Sequence, residues 1–317
     1  MKILVRETNW LGDVILSLPF FDALKDQYPD AGVSVLARPG VASILQNHPP
    51  IDRLLLYDQQ GMHPGMGGLF AMASGLRDLE FDQAYLLPNS FSSAFMFRLA
   101  KIPERIGYAT DGRSFLLTRA IKKTSEIKSW HETYTYLHLL GIHPGEIPTP
   151  LPRLVLTEQE QQKAKDLSAS LGINKEGRLF GMVPGAAYGT AKRWLEDRYA
   201  EVARRLVDEY KGPVLLFGSA AEKDVCGRIA SMAGQGVFNL AGKTPLRILA
   251  ALMQSCQLVI SNDTGAMHVS AAVNTPVVAL FGPTNPTTTS PAGQSHVLLR
   301  HPVDCSPCLL RHCPVDH

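Results

Sequence analysis

Short apolar segments alternate with amphipathic segments along nearly the whole chain, and this alternation restricts the possible folds more than any other feature. In the first half, apolar runs predict strands at residues 3–5, 33–37, 53–57, 84–87 and 105–108. In the second half, similar runs predict strands at residues 179–183, 214–217, 237–240, 258–260 and 277–280. Helical periodicity lies between most of these runs, and strands joined through helices pair in parallel. The sequence therefore predicts an α/β protein with doubly wound, mostly parallel sheets.

A proline-rich segment at residues 141–153 interrupts this alternation. The chain has 317 residues, which is too many for one ordinary core and suits two domains of about 150 residues. We therefore predict an N-terminal domain at residues 1–150 and a C-terminal domain at residues 151–317. Both are expected to be Rossmann-like, with a ligand-binding cleft between them.

Composition and charge exclude several classes of protein. The net charge of +2 gives no general attraction to nucleic acid, so we expect no nucleic-acid partner. The N-terminus lacks the apolar core of a signal peptide, and no apolar run approaches the roughly 20 residues that span a bilayer. Five cysteines, an odd number, fit a reducing compartment better than a disulfide framework. These features predict a cytosolic protein that can touch a membrane surface.

Three of the cysteines, Cys305, Cys308 and Cys313, lie close together near the C-terminus, with His312 and His317 beside them. This spacing partly resembles that of zinc ligands, but it offers no clear fourth ligand. A reduced, packed loop explains the pattern better, and we predict no metal site.

The stretch I-S-N-D-T-G-A-M-H at residues 260–268 reads as the end of a strand, a polar turn and the start of a helix. Asp263 and Thr264 suit a helix N-cap, and Gly265 would let a ligand approach the backbone. Free N–H groups at a helix start, together with the helix dipole, attract anions. The turn is therefore either a simple helix cap or an anion site. His268, one turn into the helix, is either a packed residue or a ligand contact.

Two further turns in the second half could contact a ligand. The first, P-G-A-A-Y-G-T-A-K at residues 184–192, has small residues from Gly185 onward, then Thr190 and the mobile charge of Lys192. It is either a phosphate clamp or a flexible turn, and it lacks the order of a P-loop. The second contains Glu222, which either favours the next helix through its dipole or accepts hydrogen bonds from a ribose.

In the first half, Asp13 lies at the junction of the first strand and the first helix. It is either the N-cap of that helix or a carboxylate at the strand edge where α/β proteins bind ligands. Residues 98–128 carry eight basic side chains against three acidic ones, which indicates a solvated face or a site for an anionic partner. No G-x-G-x-x-G follows either first strand, which argues against a dinucleotide dehydrogenase. No D-x-D pair occurs in the chain, which argues against a metal-dependent sugar-nucleotide site.

Four segments together resemble the ADP-heptose:lipopolysaccharide heptosyltransferases. They are R-E-T-N-W-L-G-D-V-I-L-S-L-P, V-P-G-A-A-Y-G-T-A-K-R-W, S-N-D-T-G-A-M-H-V-S-A-A and A-L-F-G-P-T-N-P. The resemblance runs over nearly the whole chain and implies the GT-B architecture of two facing Rossmann-like domains and an inverting glycosyl transfer. The N-W-L-G-D start and the cysteine-bearing end resemble the heptosyltransferase II branch, which adds the second inner-core heptose to the first. Members of this family finish with helices that pack toward the first domain. This sequence stops at P-V-D-H, so we expect it to lack those final helices.

The resemblance also implies roles for individual residues. Asp13 would act as general base on the acceptor hydroxyl, and Lys192 would stabilise the departing ADP. ADP-heptose binding would involve eight residues: Gly185, Thr190, Lys192, Glu222, Asp263, Thr264, Gly265 and His268. Within that set, Glu222 would bind the ribose, and Asp263 would bind heptose hydroxyls or cap the helix. The phosphorylated inner-core acceptor would meet Arg105, Arg113 and Lys122, with peripheral contact at the inner membrane. No cofactor is expected.

Two other interpretations stay open at the level of sequence. Heptosyltransferase I, which acts on the Kdo-lipid A acceptor, would share the same donor site. A non-catalytic module that binds nucleotide sugars or phosphate would share it as well, but it would not depend on Asp13.

Overall fold

The computed structural model describes residues 1–173 and 178–315, and its chain divides into two compact units, Met1–Pro152 and Arg153–His317. Each unit is an α/β layer structure with helices packed on a parallel sheet. The division falls at the end of the proline-rich segment.

The first unit is built around the β1 strand. Its strands are β1 (Lys2–Arg6), β2 (Gly32–Ala37), β3 (Arg53–Leu56), β4 (Gln83–Leu86), β5 (Glu104–Tyr108) and β6 (Arg119–Ile121). Its α-helices are α1 (Leu11–Gln27), α2 (Pro39–Ala42), α3 (Gly65–Asp78), α4 (Phe91–Leu99), α5 (Ser125–Ser129) and α6 (Glu132–Leu137). The strand order is β3-β2-β1-β4-β5-β6, and every pair is parallel.

The second unit repeats this plan. Its strands are β7 (Phe180–Val183), β8 (Val214–Leu216), β9 (Val237–Asn239), β10 (Leu258–Asn262), β11 (Val277–Phe281) and β12 (Val297–Arg300). Its α-helices are α7 (Glu158–Ser170), α8 (Glu196–Tyr210), α9 (Lys223–Ala233), α10 (Leu246–Ser255), α11 (Gly265–Ala272) and α12 (Pro286–Thr289). The parallel order is β12-β11-β10-β7-β8-β9.

Both sheets, as described, have the strand order of a Rossmann fold. In each sheet, the second and third strands lie on one side of the first strand, and the fourth strand lies on its other side. This switch lies between β1 and β4 in the first unit, and between β7 and β10 in the second. Ligands of open α/β sheets bind outside the carboxyl ends of strands at such a point.

The central strands confirm the predicted elements because their sequences are almost entirely apolar. Ile3, Leu4 and Val5 of β1 are fully buried, as are the three residues of β8. Central parallel strands are covered by helices on both faces, so they favour continuous runs of Val, Ile and Leu. The predicted capping box of α7 is also confirmed, since Thr157 and Glu160 exchange both of its hydrogen bonds.

Two strands at sheet edges, β6 and β12, are not among the strands predicted from the sequence. Their side chains are mostly exposed, and β6 has three residues, R-A-I. Composition gives little signal for β6, which has no long apolar run, whereas β12 contains the exposed apolar run V-L-L.

Within the residues described, no helix has both the length and the apolar character needed to cross a bilayer.

Candidate active site

The switch point of the second unit brings two of the predicted turns together. Strand β7 runs into the turn that carries Gly185 and Lys192, and β10 runs into Asp263 and Thr264. Because β7 and β10 are parallel neighbours, both turns leave the same edge of the sheet. The polar residues predicted for the donor therefore lie at the position where this fold binds ligands.

Lys192 and Asp263 form an ion pair at this edge. Lys192 Nζ lies 2.6 Å from Asp263 Oδ2, and the side chains are 14% and 6% exposed. The same carboxylate oxygen accepts a 2.6 Å hydrogen bond from the Thr284 hydroxyl. Asp263 therefore positions the lysine ammonium and offsets its charge. It does not cap α11, because the N-cap residue is Thr264.

The start of α11 has the features of an anion site. Thr264 adopts an extended conformation, and its side chain makes no capping hydrogen bond. Its hydroxyl oxygen is buried and has no hydrogen-bond partner among the described residues. The Met267 N–H donates to the Thr264 carbonyl oxygen at 3.1 Å, and the Thr264 side chain leaves the N–H groups of Gly265 and Ala266 to another acceptor.

Asn262, fully buried at the end of β10, ties the two turns to each other. Its side-chain amide donates to the carbonyl oxygens of Pro184 and Gly185 at 2.8 and 3.3 Å. Its carbonyl oxygen accepts from the Trp194 N–H and the Tyr199 hydroxyl at 3.2 and 3.0 Å. Sequence reasoning does not single out Asn262 or Thr284, although both lie in the quoted N-D-T-G and F-G-P-T-N-P segments.

Glu222 lies against Gly185, so two predicted donor residues are in contact. A β-carbon at Gly185 would overlap the Glu222 carboxylate, which explains the glycine. Oε2 of Glu222 also accepts from the N–H and the hydroxyl of Ser219, at 2.7 and 2.8 Å. Glu222 thus forms a capping box with Ser219, and its carboxylate lies against the turn after β7. Its predicted hydrogen bonds to a ribose stay a prediction.

Two other predicted donor residues have partners within the second unit. Thr190 Oγ1 lies 3.0 Å from Nδ1 of His312, in the C-terminal segment. His268 is buried inside α11, and its placement agrees with a packed residue.

In the first unit, Asp13 lies in the first turn of α1 and is half-buried. The N-cap residue is Trp10, so the interpretation of Asp13 as the N-cap is wrong. Helix α1 packs against α6, which brings Tyr136 near Asp13. Burial first, and then the negative charge of Asp13, raise the pKa of Tyr136 well above its ordinary value. Asp13 therefore places a carboxyl group just beyond the carboxyl end of β1, and its role as general base stays a prediction.

Glu7, just beyond β1, is a fully buried carboxylate that sequence reasoning does not single out. It accepts hydrogen bonds from the Thr8 N–H at 2.6 Å, the Thr8 hydroxyl at 2.9 Å and the Ser17 hydroxyl at 3.0 Å. Burial raises its pKa to about 7, against the opposing effect of these donors and of Arg6. The R-E pair closing an apolar strand is the only sequence signal for it.

Arg105 and Arg113 are buried in the first unit, which argues against their predicted contact with the acceptor. Arg113 is fully buried, and its guanidinium donates to the carbonyl oxygens of Tyr108, Pro88 and Ser90. Arg105 is also buried and donates to Leu116 and Ile102 carbonyl oxygens. Both arginines satisfy backbone acceptors within the first unit, and burial lowers the pKa of Arg113 to about 10. Lys122 is exposed, and its predicted contact with the acceptor stays a prediction.

Over residues 1–173 and 178–315, no group of three His, Cys, Asp or Glu side chains is arranged to hold a metal ion. Cys305, Cys308 and Cys313 form no disulfide bond within the described residues, and His317 lies outside them. The expectation that no cofactor is required stays a prediction.

Comparison with known proteins agrees with this geometry. The family model for glycosyltransferase family 9 (heptosyltransferase) matches residues 69–317. Lipopolysaccharide heptosyltransferase 2 of Salmonella typhimurium is 32% identical over 313 residues, covering 95% of this chain and 88% of the relative. Lipopolysaccharide heptosyltransferase 1 of Pseudomonas aeruginosa is 26% identical, covering 99% of this chain and 87% of the relative.

Among solved structures, the Escherichia coli ADP-heptose lps heptosyltransferase II is similar with a TM-score of 0.81 and 32% identity. The alignment covers 94% of this chain and 90% of that one, and it confirms the expected GT-B fold class. The chain therefore belongs to glycosyltransferase family 9, the heptosyltransferases.

Proposed function

We propose that this enzyme transfers L-glycero-D-manno-heptose from ADP-heptose to the first heptose of the lipopolysaccharide inner core, as a heptosyltransferase II. The observation that carries the proposal is the Lys192–Asp263 pair beside the open N-terminus of α11, in a chain 32% identical to a named heptosyltransferase 2. Relatives named heptosyltransferase 1 are less similar, which favours the heptosylated acceptor over Kdo-lipid A.

The donor's diphosphate would bind between Lys192 and the N-terminus of α11. The ammonium and the backbone N–H groups both favour negative charge, and this charge grows on the leaving oxygen as the glycosidic bond breaks. Glu222 would accept hydrogen bonds from the ribose hydroxyls, beside Gly185. Asp263 would keep its ion pair with Lys192 and would accept a hydrogen bond from one heptose hydroxyl. We propose that these groups stabilise ADP without a metal ion.

Asp13 would remove the proton from the attacking hydroxyl of the acceptor. The acceptor oxygen forms a bond to the anomeric carbon, the bond from that carbon to the diphosphate breaks, and ADP leaves with the electron pair. Because a carboxylate is a weak base toward an alcohol, proton transfer must come late, after charge has developed on the acceptor oxygen. Attack opposite the leaving group inverts the anomeric configuration.

A transfer assay tests this proposal directly. The protein is incubated with ADP-heptose and either the mono-heptosylated core acceptor or Kdo-lipid A, in excess chelator. We expect transfer to the heptosylated acceptor only. Transfer to Kdo-lipid A alone would assign heptosyltransferase I, and ADP binding without any transfer would favour a non-catalytic module.

We also propose peripheral contact with the cytoplasmic face of a membrane, where a lipid-linked acceptor is available. A cluster of exposed phenylalanines in the first unit supports this: Phe91 lies 6.1 Å from both Phe95 and Phe115, between ring centroids. Phe115 is 74% exposed, and Arg98 follows Phe95 by one helical turn. Aromatic rings with adjacent cations suit the interface of an anionic bilayer.

Flotation with vesicles tests this surface. Replacing Phe91 and Phe115 by serine should reduce binding to anionic vesicles, while Met232→Ser, an exposed change in the second unit, should not. Equal flotation of all three proteins would contradict the proposed contact.

A further inference from the structure

The C-terminal segment Leu309–His312 is docked on the turn that carries Lys192. The Tyr188 hydroxyl donates to the Leu309 carbonyl oxygen at 2.7 Å, and the Ala191 N–H donates to the Arg311 carbonyl oxygen at 3.1 Å. A β-carbon at Gly189 would overlap the Arg311 backbone, so this glycine permits the close approach. The segment is thereby fixed against the site although most of its side chains are exposed.

The opposite side of the segment is anchored near Asp263. The Leu309 N–H donates to the Pro283 carbonyl oxygen at 2.9 Å, and the adjoining Thr284 holds the Asp263 carboxylate. Leu309–His312 therefore joins the two loops that place Lys192 and Asp263. The cysteine-bearing tail is a built part of this edge of the second unit.

The docking places a second cation against Tyr188, the ring that Lys192 also contacts. The Lys192 ammonium lies 5.1 Å from the centroid of the Tyr188 ring, and the Arg311 guanidinium carbon lies 5.4 Å from the same centroid. Within the described part of the chain, no carboxylate forms an ion pair with Arg311, whereas Asp263 offsets the charge of Lys192. A diphosphate carries more than one negative charge, and one offset ammonium compensates it poorly.

We propose that Arg311 binds the diphosphate of the nucleotide-sugar donor as the second cation of the site, and that Leu309–His312 holds it there. The inference rests on the proposed function, since it requires an anionic nucleotide as ligand. The planar guanidinium offers several donors to phosphate oxygens and stays charged at any working pH. Stacking on Tyr188 limits its conformational freedom, so less entropy is lost on binding.

Calorimetric titration with ADP and with adenosine tests the role of the charge. Arg311→Gln should weaken ADP binding about tenfold, since a charge-assisted hydrogen bond contributes roughly that much, and should leave adenosine binding unchanged. Arg311→Met, which keeps the aliphatic stem on Tyr188, should behave like Arg311→Gln. Arg311→Lys keeps the charge but loses the planar set of donors, so it should bind ADP more weakly than the unmodified protein and more tightly than Arg311→Gln. Arg204→Gln, which neutralises an exposed arginine of α8, is the matched control and should bind ADP normally.

The outcomes separate this inference from the function on which it rests. If the unmodified protein fails to bind ADP, the proposed donor is wrong and the inference falls with it. If the unmodified protein and Arg311→Gln bind ADP equally, while Lys192→Gln binds it weakly, the role of Arg311 alone is overturned. If Arg311→Lys loses as much affinity as the neutral variants, the positive charge is not what matters, and the proposal is also overturned.

Discussion

Lys192 Nζ lies 2.6 Å from Asp263 Oδ2, at the edge of the second sheet where its strand order reverses. The lysine is the cation expected to hold the donor's diphosphate, yet its closest charged partner is an anion. Asp263 is almost fully buried, so each residue depends on the other for its charge to be compensated. Only the lysine carries the charge that attracts a phosphate, so removing the lysine and removing the aspartate should affect ADP affinity differently.

We first predict that Lys192→Gln weakens ADP binding and that Asp263→Asn does not. Lys192→Gln removes the cation and leaves a buried carboxylate without its counter-ion, so ADP affinity should fall at least about tenfold. Stability should fall by about 3 kcal/mol. Asp263→Asn leaves the lysine charge unopposed, and ADP should bind as tightly as before or a few-fold more tightly. Calorimetry and urea unfolding measure both quantities.

Thr284→Val is the control for this pair. It removes the 2.6 Å hydrogen bond to Asp263 without changing any charge, so stability should fall by about 1 kcal/mol and ADP affinity should hold. If Asp263→Asn weakened ADP binding as strongly as Lys192→Gln does, the carboxylate would act on the nucleotide rather than on the lysine.

Asp13→Asn tests the general base. The change is nearly isosteric but removes the proton acceptor, so kcat should fall about 10²- to 10⁴-fold. ADP affinity should change little because Asp13 acts on the acceptor and lies in the other unit. Steady-state kinetics with the heptosylated acceptor, beside ADP calorimetry, separate the two effects. Preserved turnover would exclude Asp13 as the base.

The third prediction separates Arg113 from Lys122. Arg113→Met removes the guanidinium hydrogen bonds to the carbonyl oxygens of Tyr108, Pro88 and Ser90, so it should cost about 3 kcal/mol of stability. It should leave KM for the acceptor unchanged wherever the protein stays folded. Lys122→Gln should leave stability unchanged but raise KM for the acceptor, more strongly at low salt.

Lys165→Gln, an exposed change in α7 of the other unit, is the matched control for Lys122 and should change neither quantity. If folded Arg113→Met had a raised KM for the acceptor, Arg113 would contact the acceptor directly in spite of its burial.

The central elements of both sheets could be predicted because buried parallel strands need continuous apolar sequences, as in residues 3–5 and 214–216. The edge strand β6 reads R-A-I and was not predictable from composition, whereas β12 carries the apolar run V-L-L and was missed although composition marks it. The turns carrying Lys192 and Asp263 were predictable as turns, from small and capping residues after a strand.

Partners within the site could not be predicted, because they depend on contacts between residues far apart in sequence. Lys192 and Asp263 are separated by about seventy positions, and nothing local to either marks the pair. The predicted contact of Arg105 and Arg113 with the acceptor disagrees with the structure for a related reason. Charge counts do not show that Arg105 and Arg113 turn inward to backbone carbonyl oxygens. Buried arginines of this kind have the same local sequence as exposed ones.

Glu222→Gln tests the ribose contact. A carboxylate accepts two hydrogen bonds from the ribose diol, whereas an amide accepts fewer, so ADP affinity should fall about tenfold. Affinity for 2′,3′-dideoxy-ADP should not change, because that nucleotide lacks both hydroxyls. Ser219→Ala is the control, since it breaks the same capping box but keeps the carboxylate. Equal losses for the two nucleotides would assign Glu222 to the cap alone.

The buried carboxylate of Glu7 should make stability depend on pH. Its pKa is raised by burial from 4.5 to about 7 in the folded protein, so the folded state holds the proton more tightly than the unfolded state. Below pH 4.5 Glu7 is protonated in both the folded and the unfolded state, so it contributes no pH dependence to stability there. Stability should then fall as the pH rises from about 4.5 to 7, by about 3 kcal/mol, and the loss should be complete above pH 7.

Glu7→Gln should abolish this fall. A neutral amide can still accept from the Thr8 N–H, and Ser17 can accept from it because the serine already donates to the Val14 carbonyl oxygen. We expect the variant to match the unmodified protein near pH 4.5 and to exceed its stability at pH 8. Glu126→Gln, at an exposed position in α5, should leave the pH dependence intact. If urea midpoints of Glu7→Gln fall with pH as steeply as before, the slope arises from another group and Glu7 is ionised throughout that range.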